Sequence, residues 1–177
     1  MHIGMIGIGL MGHGIASNIL KNNSYRLTFL THAGNQPTNQ LEAAGAMAVG
    51  SIKEVSEEAD IILICVTGAT QVEDILFSPE GVSTYARKEQ IIIDCSTSMP
   101  EKTRLFAARL ADAGIPFVDA AMTRTPKEAA EGRLNLIVGA EKKIFDQLHP
   151  LFSQFAENIV HAGAVGSGQA LKLIHNY

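Results

Sequence analysis

The sequence predicts an α/β fold on a doubly wound, mostly parallel sheet, and three observations carry that expectation. Short β-type runs alternate with helical patterns from one end of the chain to the other. That order implies parallel pairing through right-handed crossovers. With 177 residues, 46% hydrophobic and 18% charged, the chain fits one folded domain, or one domain plus the start of something else.

In order, the β-type runs are His2 to Ile6, Arg26 to Leu30, Asp60 to Val66, Gln90 to Cys95, Pro116 to Asp119 and Leu134 to Val138. Between them Leu10 to Leu20, Gln71 to Leu76, Pro100 to Ala113 and Lys143 to Phe152 carry apolar residues at helical spacing. Ile61 to Val66, bounded by Asp60 and Thr67, is the most continuous apolar run. It is far too short to cross a bilayer and reads as a buried strand. Pro100-Glu101 opens a helix that Thr97 or Ser98 is placed to cap. After Gly163, Ala164-Val165-Gly166-Ser167-Gly168 is a glycine-rich lead-in, and Gln169 to Tyr177 reads as a helix cut off with no room to pack. The expectation is a dinucleotide-type domain over 1–163, the start of a long interdomain helix over 164–177, and a C-terminal part beyond it.

Lys and Arg number 14 against 18 Asp and Glu, net −4, without a basic block. A nucleic-acid or anionic-membrane surface is not expected, and a small-molecule partner is. The first residues lack the pattern of a signal peptide. Cys65 and Cys95 both lie in apolar segments, which predicts free thiols and a cytoplasmic setting. No metal site is expected.

Gly7-Ile8-Gly9-Leu10-Met11-Gly12 is G-x-G-x-x-G, placed after the first strand and at the opening of the first helix. Gly7 permits a tight turn, Gly9 lets the backbone approach a pyrophosphate, and Gly12 lets the helix pack on the strand. The helix N-terminus then offers its amides to phosphate. A ribose-reading acid is due about 20 residues later, yet Leu30-Thr31-His32-Ala33 holds none. An acid there would repel a 2′-phosphate, so NADP(H) is favoured over NAD(H), with Thr31 and His32 as donors to that phosphate.

Taken together, several segments resemble the β-hydroxyacid dehydrogenase family, which includes 3-hydroxyisobutyrate dehydrogenase, tartronate semialdehyde reductase and, more distantly, 6-phosphogluconate dehydrogenase. They are the glycine turn, Asp94-Cys95-Ser96-Thr97-Ser98-Met99-Pro100 (D-x-S-T-x-x-P), Phe117 to Ala121 with Gly132 and Leu134 to Gly139, and Gly163 to Asn176 (G-x-x-G-x-G-x-x-x-K-x-x-x-N). The resemblance implies a Rossmann-like domain followed by an all-helical domain that builds a homo-oligomer. It also implies hydride transfer between NADP(H), or NAD(H), and a small anionic hydroxyacid or its semialdehyde or oxo partner.

Within that resemblance Lys172 is the general acid/base, and Asn176 a substrate ligand one helical turn further on. His175, found in the 6-phosphogluconate branch, is a second candidate. Ser96 and Thr97 follow a strand at the sheet's carboxyl edge, placed to hold substrate or nicotinamide. Val66 and Thr67 line the cofactor as the corresponding loop does in the family. The departure is Met122-Thr123-Arg124-Thr125, where the family commonly has V-S-G-G. Thr123 keeps a hydroxyl, and Arg124 supplies a two-pronged donor for an anionic group, as in the sulfolactaldehyde reductase branch. The plainer reading of Arg124 is a surface pair with Glu128 or Glu131. A non-catalytic nucleotide-binding domain and an imine reductase are the alternatives, and Lys172 weighs against both.

Overall fold

The computed structural model describes residues 1–175, with the side chain of His175 outside the description. The elements run β1 (His2–Ile6), α1 (Leu10–Leu20), β2 (Arg26–Leu30), α2 (Asn39–Ala43), β3 (Met47–Val49), α3 (Ile52–Glu58), β4 (Ile61–Ile64) and α4 (Ala69–Phe77). Then follow α5 (Val82–Tyr85), β5 (Ile91–Asp94), α6 (Pro100–Ala111), β6 (Phe117–Thr123), α7 (Pro126–Glu131), β7 (Leu134–Gly139), α8 (Lys142–Phe152), β8 (Ala156–Gly163) and α9 (Ser167–His175). They form one sheet of order β3-β2-β1-β4-β5-β6-β7-β8. Every pairing is parallel except β6 with β7. Residues 124–133 between those two strands hold only the short α7, too little chain for a parallel crossover.

The central strands are buried on both faces, as a doubly wound sheet requires. In β4, Ile61 and Leu63 join the core beneath α1 and α8, while Ile62 and Ile64 join the core under α3, α4 and α6. Each fully buried isoleucine is worth about 1.5–3 kcal/mol against exposure, so this run of isoleucines fixes the strand that carries the cleft loop at its end.

Strands β6 to β8 reach further than their neighbours. Asp94, the last residue of β5, pairs with Asp119, and β6 then continues to Thr123. This wing carries α9. Contrary to the expectation of a helix with no room to pack, the start of α9 is seated on it: Gly168 and Gln169 are buried, and a Cβ on Gly168 would lie 2.4 Å from the Ile137 carbonyl oxygen.

Candidate functional site

Gly7 has φ +102°, and a Cβ there would fall 2.1 Å from the Cys65 carbonyl oxygen. At Gly12 it would meet the Gly7 carbonyl oxygen at 2.0 Å, whereas at Gly9 it would meet nothing within 4 Å. The outer glycines let the turn close, and the middle one faces free space. Gly9 is the N-cap of α1; no side chain caps the helix and no acid stands in its first turn among the described residues. The amides and the positive end of the helix therefore face a cleft of about 540 Å³. Residues 7–12, His32, Val66 and Thr67 line it, as does Asn35, which sequence reading missed. Asn35 braces the loop after β2, accepting from the Ile8 N–H at 3.4 Å and donating to the Leu30 carbonyl at 3.0 Å. Thr31 is exposed and absent from the cleft wall; its N–H donates to the Val49 carbonyl at 2.8 Å. The Nδ1 of His32 accepts from the Gly34 N–H at 3.0 Å, which leaves Nε2–H as a donor.

A dinucleotide fits this cradle on two counts. The space a side chain would fill at Gly9 is open, and the uncapped helix amides are the donors a pyrophosphate needs.

The loop after β5 lies against the cleft, since Gly68 beside Thr67 would place a Cβ 3.7 Å from the Thr97 carbonyl oxygen. Ser96 is 2% exposed and its hydroxyl accepts from the Val66 N–H at 3.0 Å. It braces two loops from within. Neither Thr97 nor Ser98 caps α6; Met99 is its N-cap, without a side-chain bond, and Pro100 opens the helix. Thr97 is exposed, and its Oγ1 accepts from Lys172 Nζ at 2.8 Å. Burial holds the half-buried Lys172 ammonium below the ordinary lysine range, against the pull of the Asp94 carboxylate. Burial likewise pushes the Asp94 carboxyl up to about 6, although Ser96 N–H donates to its Oδ1 at 2.8 Å. Its Oδ2 is buried without a partner among the described residues. Cys65, at the end of β4, is pushed up to about 12 by burial, and Cys95 is raised by the same cause. Thiols so strongly held as neutral are packing groups rather than nucleophiles.

The residue that fixes α9 is Asp119, which sequence reading gave no role beyond the end of the run Pro116 to Asp119. It is fully buried, and its carboxylate accepts from Gly166 N–H at 2.6 Å and Gln169 N–H at 2.9 Å. Burial raises its carboxyl, and these amides oppose the shift.

The other substrate candidates lie further along the wing. Thr123 accepts from Asn135 Nδ2 at 3.0 Å, and Asn135 accepts from Asn158 Nδ2 at 2.8 Å, a side-chain ladder across β6, β7 and β8. Arg124 has φ +82°, rare for a residue with a side chain. Its guanidinium pairs with Glu157 at 2.5 Å and donates to the Arg133 carbonyl, so its partner is neither Glu128 nor Glu131. Thr125 closes a capping box with Glu128 at the start of α7. No hydrogen bond among the described residues joins Thr123, Arg124 or Thr125 to Lys172. Asn176 lies outside the described residues, as does the side chain of His175.

Open sheets of this kind take their ligand where the strand order reverses. Here that point is between β1 and β4, with the glycine turn above it, and the class so defined is the Rossmann-like dinucleotide-binding domain. A family model described as the NAD binding domain of 6-phosphogluconate dehydrogenase matches residues 2–163. The chain belongs to this family.

Among similar proteins, the 2-hydroxy-3-oxopropionate reductase of Escherichia coli K12 is 32% identical over 98% of this chain and 58% of its own length. The 2-(hydroxymethyl)glutarate dehydrogenase of Eubacterium barkeri is 33% identical over 98% of this chain and 57% of its own. The crystal structure of 3-hydroxyisobutyrate dehydrogenase from Salmonella typhimurium superposes with a TM-score of 0.89 at 26% identity, covering 99% of this chain and 61% of that one. The chain thus spans somewhat over half the length of these relatives. No helix among the described residues is long and apolar enough to cross a membrane.

Proposed function

We propose that the protein is an oxidoreductase that interconverts a small β-hydroxyacid and its semialdehyde or oxo partner, with NADP(H) preferred over NAD(H). The observation that carries this reading is the Lys172 ammonium on Thr97 Oγ1 at 2.8 Å, beside the loop that walls the cleft. The turn of residues 7–12 would hold the pyrophosphate. His32, with its Nε2–H free, would donate to a 2′-phosphate where no acid repels it. The nicotinamide, when bound, supplies or accepts the hydride.

The protein's own part is proton transfer and orientation. Lys172 takes the hydroxyl proton in oxidation and returns it in reduction, and its partial burial keeps the neutral amine within reach. Thr97 accepts from Lys172, so its own O–H is left to donate to substrate. Thr123 and Arg124 would meet the anionic end, the latter by exchanging Glu157 for the ligand. Residues 1–163 would form the cofactor domain and 164–177 the start of an interdomain helix in a homo-oligomer. The named substrates of the relatives, small oxygenated acids, support the substrate class.

The test is calorimetric titration of the chain with NADPH and NADH, followed by assay of hydroxyacids with the full-length protein and its Lys172→Ala variant. NADPH should bind more tightly, and Lys172→Ala should lower kcat at least about a hundredfold with the cofactor Kd unchanged. Equal kcat in the variant would exclude Lys172 as the acid/base.

A further inference from the structure

Gln169 is 1% exposed and sits one helical turn before Lys172 on α9. Its Nε2 donates to the Ser96 carbonyl at 2.7 Å, and its Oε1 accepts from the Ser98 N–H at 3.1 Å. The two contacts flank Thr97, the residue on which Lys172 rests. Because one partner is a carbonyl and the other an N–H, only a carboxamide in this orientation satisfies both, and a carboxylate or hydrocarbon of the same size does not. The main chain of Gln169 is itself held by the Asp119 carboxylate. A rigid path therefore runs from β6 through the first turn of α9 to the loop after β5. That loop is pinned at three further points: Ser96 N–H to Asp94, Val66 N–H to Ser96 Oγ, and the Lys172 contact itself.

We infer that Gln169 is a positioning residue that fixes Thr97 against Lys172, setting the geometry of the proton-transfer pair without touching substrate or cofactor. That the pair transfers a proton rests on the function proposed above; the hold of Gln169 on the loop does not. Burial alone would be met by any packed residue of this size. The pairing of one donor and one acceptor with the main chain on either side of Thr97 is what gives this side chain its particular effect. Leaving either group unpaired in so dry a place is costly, so the loop follows the helix.

The experiment follows the Lys172 side chain by NMR in lysine-labelled full-length protein, with assignment by a Lys172→Met variant, and forms a cycle from Thr97→Val and Gln169→Leu. Removing the Thr97 acceptor takes away a hydrogen bond to the ammonium, so Thr97→Val should move the Lys172 titration downward. Gln169→Leu should move it in the same direction, and the double variant should go no further than either alone. NADPH affinity should stay within about twofold, while kcat falls about tenfold to a hundredfold. Additive shifts, or a Gln169→Leu protein that melts earlier with Lys172 titrating as in the parent, would overturn the proposal. If Gln169→Leu does not fold, Gln169→Met serves: it is neutral and of similar length, loses both contacts, and should give the same non-additive shift. A parent protein that oxidises no hydroxyacid would end the functional reading, and the titration cycle would still decide the role of Gln169.

Discussion

Two helices of this protein rise from glycine-rich turns, and their N-termini meet opposite fates. The turn of residues 7–12 feeds α1, whose first amides face a cleft with no side-chain cap among the described residues. The turn of residues 163–168 feeds α9, whose first amides close on the buried carboxylate of Asp119. Both ends carry the same partial positive charge. One leaves it for a ligand, whereas the other uses it to dock a helix. A glycine-rich helix start is therefore an anion site only where the fold has not already filled it with an acid of its own.

The sharpest way to break this comparison is to make the first turn like the second. Gly9 has an extended backbone at φ −76° and open space for a side chain, so Gly9→Asp should fold and gain about 0.3 kcal/mol as a helix cap, since glycine is itself a tolerated N-cap. Its carboxylate would occupy the place of the pyrophosphate, and calorimetry should show NADPH affinity reduced about a thousandfold, near 4 kcal/mol. Unchanged affinity would show that the cofactor does not use this helix end. The converse change, Asp119→Ala, leaves the amides of Gly166 and Gln169 buried and unpaired and should cost about 3 kcal/mol in denaturant unfolding. Added sulfate should restore more of the melting temperature in that variant than in the parent, because the vacated helix end has become an anion site.

Asp94 sharpens the contrast from another side, as a buried carboxylate whose Oδ2 no described amide satisfies. Its carboxyl is raised to about 6 from an ordinary 3.8. The folded state then holds the proton more tightly than the unfolded chain, so this stabilisation is complete below pH 3.8 and is lost as pH rises through 6. Asp94→Asn should remove that loss, gaining about 2 kcal/mol on the parent between pH 4 and 7. His2, lowered by burial, titrates with the opposite sign in part of the same window, and taking the difference between variant and parent cancels it. The smallest effect belongs to the exposed pair of Arg124 and Glu157, where Glu157→Gln should change stability by no more than about 0.5 kcal/mol.

The alternation of strands and helices was legible because buried β1, β4 and β5 have apolar runs and α1 and α6 have helical spacing. The strands β3 and β8 were not, for a shared reason. Each is an edge strand, with Met47 and Ala48 exposed in one and Glu157 and Asn158 exposed in the other, and an edge needs no apolar alternation. The short helices α2, α3, α5 and α7 were also missed, since they are too brief to show a period. In the site, the glycines at 7, 9 and 12 could be picked out by spacing and Lys172 by the family resemblance, whereas Gln169 and Asp119 could not. A buried carboxamide or carboxylate has no local pattern, because the main-chain groups it satisfies lie tens of residues away.

By itself, then, the sequence determined the class of fold and the glycine turn that could receive a dinucleotide, both of which depend on neighbours in the chain. Which helix end stays open, which serine turns inward and what brings Lys172 to Thr97 were decided only by the tertiary structure. Those outcomes depend on whether a buried polar group finds its partner across the sheet, and burial belongs to the folded chain as a whole.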